Sequence, residues 1–210
     1  HFAGALENNE DTGTLQYLAS TAMEAGFSTR VLDMQALDLQ NGRFFDPAGE
    51  LVNRCFKLYP WEWMVDESPD GCLAEMEWLE PIWKLVMSNK AILATLYELF
   101  PDSPYVLPCY LSRPRSGLFC KKPVFSREGH NVSVVDIRNW EEHVRIAETE
   151  GDYNTGAYVY QEYVEPTAYS GRYPVIGSWI IGGEAAGIGI RENRMEVTDN
   201  LSEFVPHIIG

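Results

Sequence analysis

Beyond Pro101 the sequence breaks into short apolar runs: "YVLPCY", "GLFCKKPVF", "NVSVVDI", "AYVYQEYV", "YPVIGSWII" and "AAGIGIR". Glycine or proline punctuates nearly every junction between them. That grammar fits a largely antiparallel sheet, because its reversals use backbone shapes that glycine tolerates and proline presets. Within this half only "NWEEHVRIAETE" reads as a helix.

Residues 1–100 follow a different pattern. "EDTGTLQYLASTAMEAGFSTRVLD" predicts a helix and then a strand, with Asp11 or Thr12 as N-cap. Leu15, Leu18, Ala19, Ala22 and Met23 form its apolar stripe, and Gly26 suits the position just past its end. "RFFDPAGELVNRCFKLY" gives two strand-like runs around a DPAG turn. "SNKAILATLYELF" is the clearest helix, capped by Ser88, with Ile92, Leu93, Leu96, Leu99 and Phe100 at helical spacing. Four tryptophans between residues 61 and 83 read as an aromatic seam in the core. The expected architecture is α+β, with a helix-containing segment over 1–100 and a strand-rich lobe over 101–210.

Charge limits the partners. Thirty-one acidic against 16 basic side chains give a net charge of −15, a field that repels nucleic acid and anionic membrane surfaces. The four cysteines lack CxxC spacing and, with four histidines, give no metal-ligand signature. No apolar run approaches the roughly 18 residues of a membrane helix. Scattered thiols without a leader pattern point to the cytoplasm. The opening "HFAG" and closing "HIIG" read as cuts through a longer polypeptide.

Within this acidic chain, "CKKPVFSREGHNVSV" gathers Lys121, Lys122 and Arg127 around a turn containing Gly129. Glycine permits close backbone approach to a ligand, and lysine and arginine suit phosphate oxygens. A solvated basic turn is the plainer reading. Lys90, placed in the first turn of its predicted helix, opposes the macrodipole unless an anion sits there or the side chain bends into solvent. "YVYQEYVEP" offers a strand end for a purine edge with Gln161 and Glu162 nearby, or is simply an edge strand. "GIGIRENR" puts Arg191 beside Glu192 and Asn193, a group suited to a phosphoryl-transfer site with Mg²⁺ or to a charged turn.

Together, "FKLYPWEWM", "EPIWKLVMSNKAILATLYELFP", "KKPVFSREGHNV", "YVYQEYV" and "PVIGSWIIGGEAAGIGIRE" resemble the C-terminal synthetase segment of the glutathionylspermidine synthase-like family, a branch of the ATP-grasp enzymes. The resemblance runs from about residue 10 to the end. It implies two α+β lobes clasping ATP, and ligation of an acid to an amine through an acyl phosphate. In well-known members the acid is a glutathione-like peptide and the amine a polyamine; an amino acid is a further candidate amine. By motif it assigns Lys90 and Lys122 to nucleotide contacts. Ser126, Arg127, Gly129 and Asn131 fall in the phosphate loop, Gln161, Glu162, Tyr163 and Val164 along the adenine slot, and Arg191 beside the reacting groups.

Two departures accompany the resemblance. The family's Mg²⁺ ligands lie in a motif of the type "EYNAD", which is absent from residues 1–210, so they are expected upstream. Asn200 also stands where polyamine-conjugating members tend to carry lysine, and the amidase domain of some members is not in this sequence. The sequence thus supports an ATP-dependent carboxylate–amine ligase, incomplete as given. The alternatives are a nucleotide-binding or scaffold module without catalysis and a purely structural α+β domain.

Overall fold

The computed structural model describes residues 1–151, 153, 156–199 and 201–208, with only the backbone of 144–148. Asn200 therefore lies outside the described residues. The chain mixes helices with several sheets, as an α+β protein does, and forms two compact units, His1–Val86 and Met87–Gly210. No described helix is long and apolar enough to cross a membrane.

In the first unit β1 (Phe2–Gly4), α1 (Asn9–Glu24) and β2 (Val31–Asp33) make a parallel crossover. The cap of α1 is Asn8, not Asp11 or Thr12; its side-chain oxygen accepts from the backbone N–H groups of Glu10 and Asp11. Gly26 adopts a positive φ of 90° just past the helix, as its position predicts. Leu15 and Ala19 are buried, whereas Met23 at the end of the stripe is exposed.

The chain then builds β3 (Asp38–Gln40), β4 (Arg43–Phe45) and β5 (Leu51–Val52), an antiparallel meander. The DPAG turn between β4 and β5 is held by Asp46, whose carboxylate accepts from the N–H groups of Ala48 and Glu50 at 2.9 Å. At Asn53 the second predicted run divides. Its remainder, β6 (Arg54–Leu58), joins β1 and β7 (Glu77–Leu79) in a parallel sheet of order β2-β1-β6-β7. Helices α2 (Trp61–Glu67) and α3 (Pro69–Cys72) connect β6 to β7.

Only half of the tryptophan seam is core. Trp61 and Trp78 are buried edge-to-face with centroids 5.7 Å apart, while Trp63 and Trp83 are exposed.

A short helix, α4 (Leu85–Ser88), ends at Ser88, and the N-cap of the next helix is Ala91 in place of Ser88. The helix α5 (Ile92–Leu99) starts after Ala91, whose N–H is met by the Asn89 side chain. Ala94 of α5 packs with Cys109 and Val159, and this helix belongs to the second unit.

The main sheet contains β8 (Cys109–Tyr110), β9 (Gly117–Pro123), β10 (Ser133–Arg138), β11 (Glu141–Glu148) and β12 (Tyr158–Glu162), antiparallel in the order β11-β10-β9-β12-β8. Strand β11 replaces the helix expected from "NWEEHVRIAETE". Asn139 and Trp140 both take positive φ (50° and 71°), and Arg138 pairs with Glu141 across them. That is the two-residue reversal of a hairpin, and it commits the following residues to the ladder. Strand β12 lies between β9 and β8, so it is no edge. A separate antiparallel sheet holds β13 (Tyr173–Ile181), β14 (Glu184–Asn193) and β15 (Glu203–Val205).

Lys57 is the costly residue of the first core. It is 6% exposed, donates to the Tyr59 carbonyl at 2.7 Å, and lies 3.9 Å from the Trp61 ring centroid. Burial pulls its pKa down from 10.5 to about 8, against the pull of Glu80 and Glu62. Between those values the unfolded chain holds the extra proton, so this residue's contribution to stability rises with pH; below about pH 8 the full cost of the buried charge is present. Relative to Lys57→Met, the wild type should therefore gain about 2–3 kcal/mol as pH increases through this window. Urea unfolding followed by tryptophan fluorescence measures this, and parallel pH profiles for the two proteins would contradict it.

Candidate functional site

The pleat of β9 sends its adjacent lysines to opposite faces of the sheet. Lys121 Nζ lies 2.7 Å from Glu142 Oε2 and 4.7 Å from the Tyr158 ring centroid, while Tyr160 donates its hydroxyl to Glu142 Oε1 at 2.6 Å. Burial acts most strongly on Glu142 and opposes ionisation. Hydrogen bonds from Lys121 and Tyr160 overcome it and hold the carboxyl below its ordinary range. Lys121 is spent on this network.

Lys122 goes to the other face, where Nζ donates to Gln161 Oε1 at 2.8 Å. A cleft of about 320 Å³ opens there. Cys120, Val132 and Val134 give it apolar lining, and Lys90, Lys122 and Arg127 bring three cations against the two carboxylates Glu128 and Glu196. Burial pushes the Cys120 thiol up, so it stays neutral. Tyr163 donates to Glu196 at 2.6 Å; burial and then this bond raise its pKa, keeping the phenol protonated.

The 126–131 turn is tied at both ends. Lys90 Nζ donates to the Ser126 carbonyl at 2.5 Å and to its hydroxyl at 3.0 Å. At the far end Val132 N–H donates to Thr149 Oγ1 at 2.8 Å, Thr149 bonds the Gly129 carbonyl, and Asn131 accepts from the N–H of Tyr153 at 2.8 Å. Between these ties the chain curls through positive φ at Glu128, Gly129 and Asn131. Gly129 is required twice: φ is 73°, and a Cβ there would collide with the Thr198 carbonyl.

Six of the eleven residues nominated from sequence line the cleft: Lys90, Lys122, Ser126, Arg127, Gly129 and Tyr163. Gln161 reaches it through Lys122, and Asn131 shapes the loop without lining it. Glu162 and Val164 are exposed outside the lining, so the strand end contributes Tyr163 in place of a continuous slot. Arg191 lies in β14 opposite Val175 and Phe204 and is not among the lining residues. Lys90 precedes α5 instead of sitting inside it, and its N–H is held by the Val124 carbonyl at 2.8 Å.

Glu196, Val197 and Thr198 were missed by sequence reading. Asn193 supplies the turn that brings them in. Its Nδ2 donates to Val197 O at 3.4 Å and to Asp199 Oδ1 at 3.0 Å, and its Oδ1 accepts from the N–H groups of Arg194 and Met195. An isolated "REN" carries no signal of that fold-back. Among the described residues no three His, Cys, Asp or Glu side chains are grouped to hold a metal ion. Asn193 acts as a turn former.

A family model described as "Glutathionylspermidine synthase preATP-grasp" matches residues 1–210. The chain belongs to the glutathionylspermidine synthase family. It is 36% identical over 207 residues to a putative acid–amine ligase of Haemophilus influenzae, covering 94% of this chain and 53% of that protein. It is also 36% identical over 130 residues to trypanothione synthetase of Crithidia fasciculata, covering 60% of this chain and 19% of the relative. With the bifunctional glutathionylspermidine synthetase/amidase of Escherichia coli it shares 26% identity over 232 aligned residues, 95% of this chain and 36% of that protein. The chain thus spans about half the length of the first of these relatives and about a third of the last. Ligase and synthetase names recur among these relatives.

Gly129→Ala tests the cleft wall directly. The added methyl forces the loop away from Thr198 and strains a positive-φ position by about 1–3 kcal/mol. The Gly129 and Thr198 amide resonances should both shift in the variant while those of β10 stay in place. Unchanged Thr198 resonances would mean the loops do not touch.

Proposed function

We propose that the chain carries the nucleotide-binding part of an ATP-dependent carboxylate–amine ligase of ATP-grasp type. The observation that carries this reading is the cleft beside β9, where Lys90, Lys122 and Arg127 meet a glycine-dependent loop and an apolar wall. Cations and backbone N–H groups suit phosphates, and the apolar lining suits a purine face. The acid would be a glutathione-like peptide and the amine a polyamine, in keeping with the relatives' names, or an amino acid.

In this reading a carboxylate oxygen attacks the γ-phosphorus and the bond to ADP breaks. The amine nitrogen then attacks the acyl carbon, phosphate leaves, and the amide nitrogen gives up a proton. Lys90, Lys122 and Arg127 neutralise charge spreading over the phosphoryl oxygens, which is most of what a protein supplies to such a step. Arg191 is assigned to the reacting groups from the family motif. The family motif that carries the Mg²⁺ ligands does not occur in residues 1–210.

Lys122→Ala should weaken ATP binding at least tenfold by calorimetry and leave folding intact, because a partly exposed strand lysine contributes little stability. Lys121→Ala should do the reverse, lowering stability while ATP affinity stays within about twofold. Equal ATP affinity in wild type and Lys122→Ala would remove Lys122 from the site.

The turn of residues 126–131 is read as a lid that orders on the phosphates. Its amide exchange should slow with a bound non-hydrolysable ATP analogue. The same rates with and without bound analogue would refute the lid.

A further inference from the structure

The loop that lines the cleft beside β9 takes its shape from side chains outside it. Between Arg127 and His130 the backbone reverses through positive φ at Glu128 and Gly129 (54° and 73°), and His130 N–H donates to the Arg127 carbonyl at 2.9 Å. Both central residues of this turn are left-handed, a costly shape for Glu128 that the surroundings must hold. Residues 149, 151 and 153 do so. Thr149 Oγ1 accepts from Val132 N–H at 2.8 Å and faces two carbonyls, that of Gly129 and, at 3.1 Å, that of Val132. A hydroxyl has one proton to donate, and the Val132 carbonyl already accepts from Thr149 N–H at 3.0 Å, so the proton goes to Gly129. Asn131 accepts from Tyr153 N–H at 2.8 Å, the His130 and Tyr153 rings lie 6.0 Å apart, and Gly151 packs against His130 with no room for a Cβ.

We propose that Thr149 is a positioning residue for the nucleotide's phosphates, its hydroxyl holding the Glu128–Gly129 turn in the shape that lines the cleft. The inference rests on the nucleotide reading of that cleft. Among the described residues the N–H groups of Glu128 and Gly129 have no protein acceptor, and consecutive N–H groups in such a turn suit phosphate oxygens. Glu128 and Gly129 line the cleft, whereas Thr149 does not, so Thr149 acts through Gly129 and touches no ligand itself. Its bonds matter because the loop is rich in charge and has few apolar anchors. Losing the hydroxyl strips the Gly129 carbonyl and the Val132 N–H of their partner at once. A residue that only supported the fold would affect every ligand alike. One that shapes the phosphate loop affects only ligands that carry phosphates.

The test compares Thr149→Val, which keeps the branched shape without the hydroxyl, with Thr149→Ser, which keeps the hydroxyl. Calorimetry with ATP and an NMR titration with adenosine read the two ends of the nucleotide separately. Thr149→Val should bind ATP about tenfold or more weakly than the wild type and adenosine within about twofold, and Thr149→Ser should restore ATP affinity to within about threefold. If Thr149→Val does not fold, the wild type carries the test: a bound non-hydrolysable ATP analogue should slow exchange of the Val132 amide, and adenosine should leave it unchanged. ATP bound equally by wild type and Thr149→Val, ATP and adenosine weakened alike, no recovery in Thr149→Ser, or a Val132 amide indifferent to the bound analogue would each overturn the role of Thr149 and leave the nucleotide reading standing. A wild type that binds no ATP would overturn both.

Discussion

One pleat governs the candidate site. Because β9 alternates its side chains, Lys121 and Lys122, neighbours in sequence, do opposite work. Lys121 closes a network with Glu142 and Tyr160 on one face, and Lys122 is delivered with Cys120 to the other. A register slip of one residue would exchange them, burying the site cation and exposing the structural one. The ladders from β9 to β10 and to β12 therefore do more than hold the sheet together. They decide which lysine meets the cleft, and Gln161 on β12 then fixes where its ammonium points.

The loop beside it solves a related problem by different means. A segment rich in charge and poor in apolar side chains has no core to hold it, so polar ties do so: Lys90 at Ser126, Thr149 and Tyr153 at the far end. Lys90 thereby links α5, through the residues just before it, to the cleft it lines. Gly129 lets the loop press against Thr198, and no residue with a Cβ fits that contact.

Much of this was legible in the sequence because it is local. The runs "GLFCKKPVF" and "YPVIGSWII" announce strands by their own composition, and the glycine-containing basic turn announces a loop. The strand β11 was hidden because Asn139-Trp140 is an unusual pair for a tight reversal, and "EEHVRIAE" fits a helix equally well until that reversal commits it. Ser88 looked like a cap because the Asn89 side chain, which meets the start of α5, lies one residue further on. Glu196 and Thr198 were invisible for a deeper reason. They reach the cleft only through the Asn193 turn, and long-range approach of that kind leaves no period in the sequence.

The central claim is that the cleft beside β9 holds the nucleotide, and photolabelling with 2-azido-ATP tests it at residue resolution. The account predicts ATP-protectable label on the peptides containing Cys120–Val134 or Tyr158–Tyr163, the strands and loop that line the cleft. Label confined to residues 1–86, or label that excess ATP does not displace, would contradict it.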